Sequence, residues 1–190
     1  MHLYKSQILS YIESSTPGIY HAAPSVLQRV DHVQERFLSH VGLCERVALM
    51  DYRLAPLAAR RDMAMLGVLH KIVLGQAPAP LAALFPFLGE VFEPVDRQRL
   101  RNWRPRHGKQ LSTEADFASS DVMQRSLFGV VLLYNRLPQS VVDAPSVRVF
   151  QARLQGGLKE YARSGIDRWQ RLFSTEWRLM PLARLHALFE

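Results

Sequence analysis

Hydrophobic residues recur every three or four positions along most of this chain, which is the spacing that places them on one face of an α-helix. The first long example begins at Pro24, since proline is favoured in the first turn of a helix, and it ends at Gly42. Its hydrophobic positions are Val26, Leu27, Val30, Val33, Phe37, Leu38 and Val41. The pattern predicts an amphipathic helix of about four or five turns.

The same spacing predicts three further long helices. They lie between Pro56 and Gly75, over residues 119–138, and from residues 143–145 onward. Because apolar residues surround most of the second of these helices, we expect it to be central in the fold. We expect the Gly156–Gly157 pair to weaken the last one.

Shorter helices are predicted at residues 3–13, 78–85 and 181–189, and no segment has the alternating pattern of a strand. The sequence therefore predicts an all-α fold, an irregular multi-helix bundle with one long basic loop. We divide it into N-terminal helices (1–85), a basic irregular excursion (86–118) and C-terminal helices (119–190), which together form one compact domain. A loop of this length is uncommon unless it is functional or disordered.

The amino-acid composition indicates that this protein favours negatively charged binding partners. The chain has 190 residues, of which 48% are hydrophobic and 22% charged, as in ordinary globular proteins. Its 24 Lys and Arg residues exceed its 17 Asp and Glu residues, which gives a net charge of +7. A basic protein of this kind favours RNA, DNA or an acidic protein surface.

The cysteine content and the length of the hydrophobic runs exclude several classes of protein. The single cysteine, Cys44, excludes an internal disulfide and a cysteine-based zinc cluster. The longest apolar run, FGVVLL, is far shorter than a bilayer span, and the N-terminus does not resemble a signal peptide. We therefore expect an intracellular protein without a membrane span, in an unspecified compartment.

Known catalytic and metal-binding patterns are missing from the sequence. It contains no GxSxG nucleophile turn, no GxxxxGK[ST] phosphate loop and no HExxH metal motif. His32 and His40 are eight residues apart, so solvated or partly packed histidines are favoured over a metal site. His70 lies on an apolar face, where a histidine bonded to the backbone is the favoured interpretation. We expect no enzymatic activity, no cofactor and no metal.

The densest positive charge lies within the basic excursion. Residues 97–109 hold six fixed positive charges and no acid. Nucleic acid would bind such a strip through its phosphates and through stacking of a base on the indole; the alternatives are an acidic protein surface or plain solvation. The candidate polyanion-binding residues are Arg97, Arg99, Arg101, Trp103, Arg104, Arg106, His107 and Lys109.

Two other groups are weaker candidates. Arg60 and Arg61 form a second basic pair near a helix start, for which ion pairing with a carboxylate such as Glu35 or Asp51 is favoured over an external anion. The C-terminal segment TEWRLMPLARLHALFE is rich in apolar residues, and these would form an exposed patch that a protein partner covers. Its candidate interface residues are Trp177, Leu179, Met180, Leu182, Leu185 and Leu188.

Four stretches together resemble the region that follows the polymerase domain in LINE-type, non-LTR retrotransposon reverse transcriptases. They are YHAAPSVLQRVDHVQERFLSHVGL, LAPLAARRDMAMLGVLHKIVLGQAP, RPRHGKQL and SLFGVVLLYNRLPQSVVDAPSVRVFQARLQ, and they cover about residues 18–160 in the same order. In that family the region is non-catalytic and supports binding of template RNA or target DNA. The chain lacks the Asp–Asp pair that polymerisation needs and the Cys/His knuckle of some relatives, so the resemblance implies a fragment or a reused derivative.

Two functions follow from these observations. The first is a non-catalytic, helical nucleic-acid-binding module whose basic strip contacts the RNA or DNA backbone without sequence preference. The alternative is an accessory structural subunit of a large protein or ribonucleoprotein assembly, in an organelle for example. In that case the same strip contacts rRNA or an acidic protein surface.

Overall fold

A computed structural model describes residues 1–88, 107–112, 120–174 and 180–190, and in these residues the regular structure is helical. An isolated antiparallel bridge joins Phe87 and Leu111. The predicted all-α, multi-helix class is therefore confirmed. In order, the helices are a π-helix (Tyr4–Leu9), α1 (Ser10–Ser14), α2 (Thr16–Ile19), α3 (Pro24–His40), α4 (Glu45–Tyr52), α5 (Leu57–Val73), α6 (Ala79–Ala82), α7 (Asp121–Gln124), α8 (Leu127–Tyr134), α9 (Gln139–Val142), α10 (Val147–Arg163), a 3₁₀-helix (Trp169–Arg171) and α11 (Leu182–His186).

Proline and glycine set the bounds of the two longest N-terminal helices, as the sequence predicts. Pro24 occupies the first turn of α3, and α5 begins directly after Pro56. Gly42 and Gly75 follow the ends of α3 and α5 with φ of +67° and +68°, a conformation that glycine adopts without a steric penalty.

The helix predicted over residues 119–138 is divided in two. The α7 helix ends at Gln124, and Ser126 begins α8 as an N-cap whose Oγ accepts a hydrogen bond from the Phe128 backbone N–H at 3.3 Å. The prediction of one continuous helix was wrong because the LFGVVLLY segment is apolar on every side, so its pattern does not reveal where a helix begins.

The α10 helix continues through Gly156–Gly157 without a break, although we expected these glycines to weaken it. The ring of Phe189 packs against Gly157 so closely that a Cβ there would lie 2.5 Å from Phe189 Cε1. A side chain at residue 157 would collide with the Phe189 ring. The close approach of the C-terminus to α10 thus explains why this residue is a glycine.

The α5 helix is the centre of the fold and packs against both α8 and α10. At its crossing with α10, a Cβ on Gly67 would lie 2.6 Å from Gln151 Nε2 and 3.2 Å from Val147 Cγ1. The main core therefore combines helices from both sides of the 86–118 excursion. A smaller cluster of buried residues lies beside it: Tyr4, Leu9, Leu38, Ala48, Leu54 and Leu57.

The described C-terminal residues belong largely to this core. Met180 and Leu185 are buried in it, Leu188 packs against it, and Leu182 is half-buried. The expectation of an exposed apolar patch was wrong for Met180 and Leu185, because the chain itself covers them. Trp177 and Leu179 lie outside the described residues.

Among the helices that the structure describes, none combines the length and the hydropathy that crossing a bilayer requires.

Candidate functional site

Residues 107–112, here called the clasp, are bonded to the helical body along their whole length. The Gly108 N–H donates to Gln139 Oε1 at 3.1 Å, and the Leu111 N–H donates to Asn135 Oδ1 at 2.9 Å. Asn135 Nδ2 returns a hydrogen bond to the Leu111 carbonyl at 2.8 Å. The clasp is therefore part of the folded core.

His107 is the most buried residue of the predicted polyanion strip that the structure describes, with 4% of its surface exposed. The Lys109 backbone N–H donates to Nδ1 at 3.1 Å, so the proton lies on Nε2, which donates to the Tyr134 carbonyl at 3.2 Å. The prediction of His107 as a polyanion contact was wrong, because its ring is buried and both of its nitrogens are bonded within the protein.

The Lys109 side chain also forms bonds within the protein. Its Nζ donates to the Val142 carbonyl at 3.0 Å and lies 3.2 Å from Asp143 Oδ1. Hydrogen bonds from Gln139 and Lys109 lower the pKa of the exposed Asp143 carboxyl below its usual value. The charge of Lys109 is thus partly compensated at the surface.

The remaining strip residues lie outside the described residues, which stop at Leu88 and resume at His107. These are Arg97, Arg99, Arg101, Trp103, Arg104 and Arg106. The ends of this segment are nevertheless joined, because the Leu88 N–H donates to the Gln110 carbonyl at 2.9 Å and the Ser112 N–H donates to the Pro86 carbonyl at 2.7 Å. The described residues on either side of residues 89–106, a range that includes the arginine segment (97–106), are therefore joined to each other.

The second basic pair, Arg60 and Arg61, forms ion pairs inside the protein. Arg60 pairs with Glu13, and Arg61 binds both carboxylate oxygens of Asp31, at 2.6 and 3.0 Å. The favoured interpretation, pairing with a carboxylate, is confirmed, although the partners are not Glu35 or Asp51. In a bidentate pair of this kind, two N–H groups on one edge of the guanidinium each donate to a carboxylate oxygen, so that edge is already used.

The histidines of the described helices fit the structural interpretation. His70 is fully buried, donates from Nε2 to the Ala144 carbonyl at 2.9 Å and accepts from the Tyr134 hydroxyl at Nδ1, 3.0 Å away. Burial lowers its pKa below the usual 6.5. His32 pairs with Glu35, and within the described residues no group of three metal-ligating side chains occurs.

A cleft of about 540 Å³ opens between α3, α5 and the turn that contains the 3₁₀-helix. Asp62 is one of its lining residues, has 8% of its surface exposed and accepts a hydrogen bond from the Tyr20 hydroxyl at 2.8 Å. Burial raises the pKa of this carboxyl from 3.8 to about 7, against the opposing effects of Tyr20, Arg61 and Arg171. The sequence analysis missed this group because its neighbours come from distant parts of the chain.

Several arginines are also among the lining residues of the cleft. Arg168 is exposed and has φ of 60°, a left-handed conformation that is uncommon for a residue with a side chain. Arg171 follows it, and Arg125 reaches in from the end of α7. Ser174 also lines the cleft, and its buried hydroxyl has no hydrogen-bond partner in the part of the chain that the structure describes. A buried acid, several arginines and a serine hydroxyl thus line the same cleft.

Comparison with protein-family models, curated proteins and solved structures found no match to this chain.

Proposed function

We propose that the chain is a non-catalytic helical protein that binds nucleic acid through the arginine segment, residues 97–106. The observation that carries this proposal is the joined base of the segment, where the clasp bonds to Leu88, Pro86 and the helical body. In general, a chain segment whose flanking residues are joined loses less conformational entropy on binding than one whose flanking residues are free.

The chemistry of the segment favours a nucleic acid over a small ion. Five arginines and one tryptophan lie within ten residues, 97–106. Guanidinium groups pair with phosphates in a planar geometry, and an indole stacks on an unpaired base. Neither contact reads a base edge, so we expect binding without sequence preference. The resemblance to retroelement proteins agrees with this function and stays a hypothesis.

The accessory-subunit alternative drew its support from the C-terminal apolar residues. Since Met180 and Leu185 lie in the core, these C-terminal residues give it no specific support.

Fluorescence anisotropy with a single-stranded RNA, over a series of salt concentrations, tests the proposal. The slope of log affinity against log salt is about 0.7 for each phosphate contact to a single strand. Replacing Arg101, Arg104 and Arg106 by alanine is therefore expected to reduce the slope by about 2, from three lost contacts. Trp103→Ala is expected to weaken binding by about 1–3 kcal/mol, and Trp103→Phe by less, because phenylalanine retains a stacking ring.

The matched control removes three exposed arginines from α3 and α4: Arg29, Arg36 and Arg46. It lowers the net charge equally, so an unchanged slope in this variant assigns the contacts to the arginine segment. Absence of RNA binding at low salt, or equal losses in the two triple variants, would contradict the proposal.

A further inference from the structure

The α3 helix leaves much of its apolar face uncovered. It has 17 residues, as α10 does, and the hydrophobic pattern of each helix predicts burial along one side. Only Gln34 and Leu38 of α3 are buried, whereas α10 buries six residues: Phe150, Leu154, Gly157, Leu158, Tyr161 and Ala162. The described residues of this chain therefore cover one amphipathic helix far better than the other.

The apolar positions of α3 have the spacing of a helix that packs lengthwise against another helix. Val26, Val30, Val33 and Phe37 follow one another at intervals of four, three and four residues. Val30 and Phe37 pack against the smaller buried cluster of this protein. Val26 and Val33 have 50% and 42% of their surfaces exposed. One side of this apolar stripe is thus open to a partner.

Two exposed arginines accompany the exposed valines. Arg29 and Arg36 each follow one of these valines by three residues, so the two Val–Arg pairs repeat at seven residues, close to two helical turns, and lie on the same face. The acidic side chains of α3 pair instead with Arg61 and His32. Among the described residues, neither Arg29 nor Arg36 takes part in an ion pair.

This combination of charge and shape favours an acidic helix as the partner. Charged residues beside the apolar stripe of packed helices determine which helix is accepted, and arginines attract Glu and Asp side chains. A second copy of the chain would bring the same arginines together in a two-fold contact, and like charges repel. Helices that bind lipid surfaces carry large apolar residues such as Trp, Phe and Leu, whereas the exposed apolar residues of α3 are valines.

We propose that the exposed face of α3 binds an amphipathic helix of another protein. Apolar residues of that helix contact Val26 and Val33, and its Glu or Asp side chains pair with Arg29 and Arg36. Since α3 is about 25 Å long, it accommodates a partner of a few helical turns. This surface is separate from the arginine segment and does not depend on the proposed nucleic-acid function.

An NMR titration of the full chain, labelled with ¹⁵N, with two helical peptides tests the proposal. Both peptides have leucine at the a and d positions of about three heptads, and they differ only at e and g, where one has glutamate and the other lysine. The glutamate peptide is expected to shift the amide signals of α3 and to bind several-fold more tightly than the lysine peptide. Equal binding of the two peptides, or shifts that leave α3 unaffected, would overturn the proposal.

Charge reversal tests the role of the two arginines. Arg29→Glu combined with Arg36→Glu is expected to reverse the preference, so that the lysine peptide binds more tightly. The matched control, Arg148→Glu combined with Arg153→Glu, changes the net charge equally at two exposed positions of α10 and is expected to keep the original preference. If both double variants change the preference equally, the peptide responds to net charge and the proposal fails.

The apolar part of the contact has its own test. Val26→Thr combined with Val33→Thr keeps the branched shape at two exposed positions, and it is expected to weaken binding of the glutamate peptide several-fold. Full affinity in this variant would mean that charge alone binds the peptide. Sedimentation velocity of the wild type is expected to show a monomer, and a dimer that the threonine variant abolishes would assign the face to a second copy instead.

The variant that lacks Arg101, Arg104 and Arg106 separates this surface from the arginine segment. It is expected to bind the glutamate peptide like the wild type, because the α3 face is unchanged. Loss of peptide binding in this variant would place the peptide on the arginine segment and overturn the proposal.

Discussion

The α5 helix carries two buried titratable side chains, His70 and Asp62, in opposite environments. Both nitrogens of His70 have a hydrogen-bond partner, and its ring stacks on Phe150 with 4.2 Å between ring centroids. Among the described residues Asp62 accepts one hydrogen bond, from Tyr20, and it lines a cleft. Burial is similar in the two cases, so burial does not separate a structural group from a functional one. The two groups differ instead in their hydrogen bonds within the described residues: His70 has a partner at each ring nitrogen, whereas Asp62 accepts one bond and lines a cleft.

Substitution of the two groups is expected to have very different effects on stability. His70→Ala removes two hydrogen bonds and a stacked ring and leaves a cavity, so we expect a loss of about 3 kcal/mol in the free energy of unfolding. Asp62→Asn keeps the shape of the side chain, and we expect a change below about 1 kcal/mol below pH 3.8, where the carboxyl is largely protonated in both the folded and the unfolded state. Urea denaturation of both variants measures the difference. Similar losses would show that Asp62 is as structural as His70.

The pH dependence of stability is expected to have opposite signs at the two groups. The folded pKa of Asp62, about 7, is above its unfolded value of 3.8, so its contribution is fully present below pH 3.8 and is lost as pH rises towards 7. The difference in unfolding free energy between the wild type and Asp62→Asn should therefore decrease by about 1.4 kcal/mol per pH unit across this window. A difference that stays constant with pH would show that the carboxyl is already ionised.

The contribution of His70 to the free energy of unfolding depends on pH in the opposite direction. Its folded pKa is lowered from 6.5, so its contribution is present above pH 6.5 and is lost as pH falls through the lowered value. His70→Gln, measured in the same series, should become less destabilising relative to the wild type as the solution is acidified. An unchanged difference from pH 7 to pH 5 would mean that the histidine keeps its usual pKa.

Tyr20→Phe provides the smallest and most specific change. It removes the hydrogen bond that Asp62 accepts from Tyr20, which favours the ionised carboxylate. The pKa of Asp62 should then rise above 7. An NMR titration of the Asp62 carboxyl carbon in the variant checks this, with Tyr52→Phe, an exposed tyrosine, as the control. A titration identical to that of the wild type would show that Tyr20 does not stabilise the carboxylate.

The sequence predicts the helices well where proline and glycine accompany a clear apolar face, as at Pro24 and Gly42. It predicts the structural role of His70 for the same reason, because an apolar face implies burial. It does not predict the break at Ser126, because a helix that is apolar on all sides carries no directional pattern.

The sites are harder to predict because distant contacts determine them. His107 stands beside arginines in the sequence, yet its environment is fixed by Tyr134. Asp62 stands beside Arg61, yet Arg61 binds Asp31, and Tyr20 supplies the hydrogen bond to Asp62. In each case the local sequence gives the charge of the residue but not the partner that determines its role.

The most direct test of the contrast between the two groups is an NMR titration of the Asp62 carboxyl carbon. The account predicts a pKa of about 7, because burial raises it from 3.8. A pKa near 3.8 would contradict it.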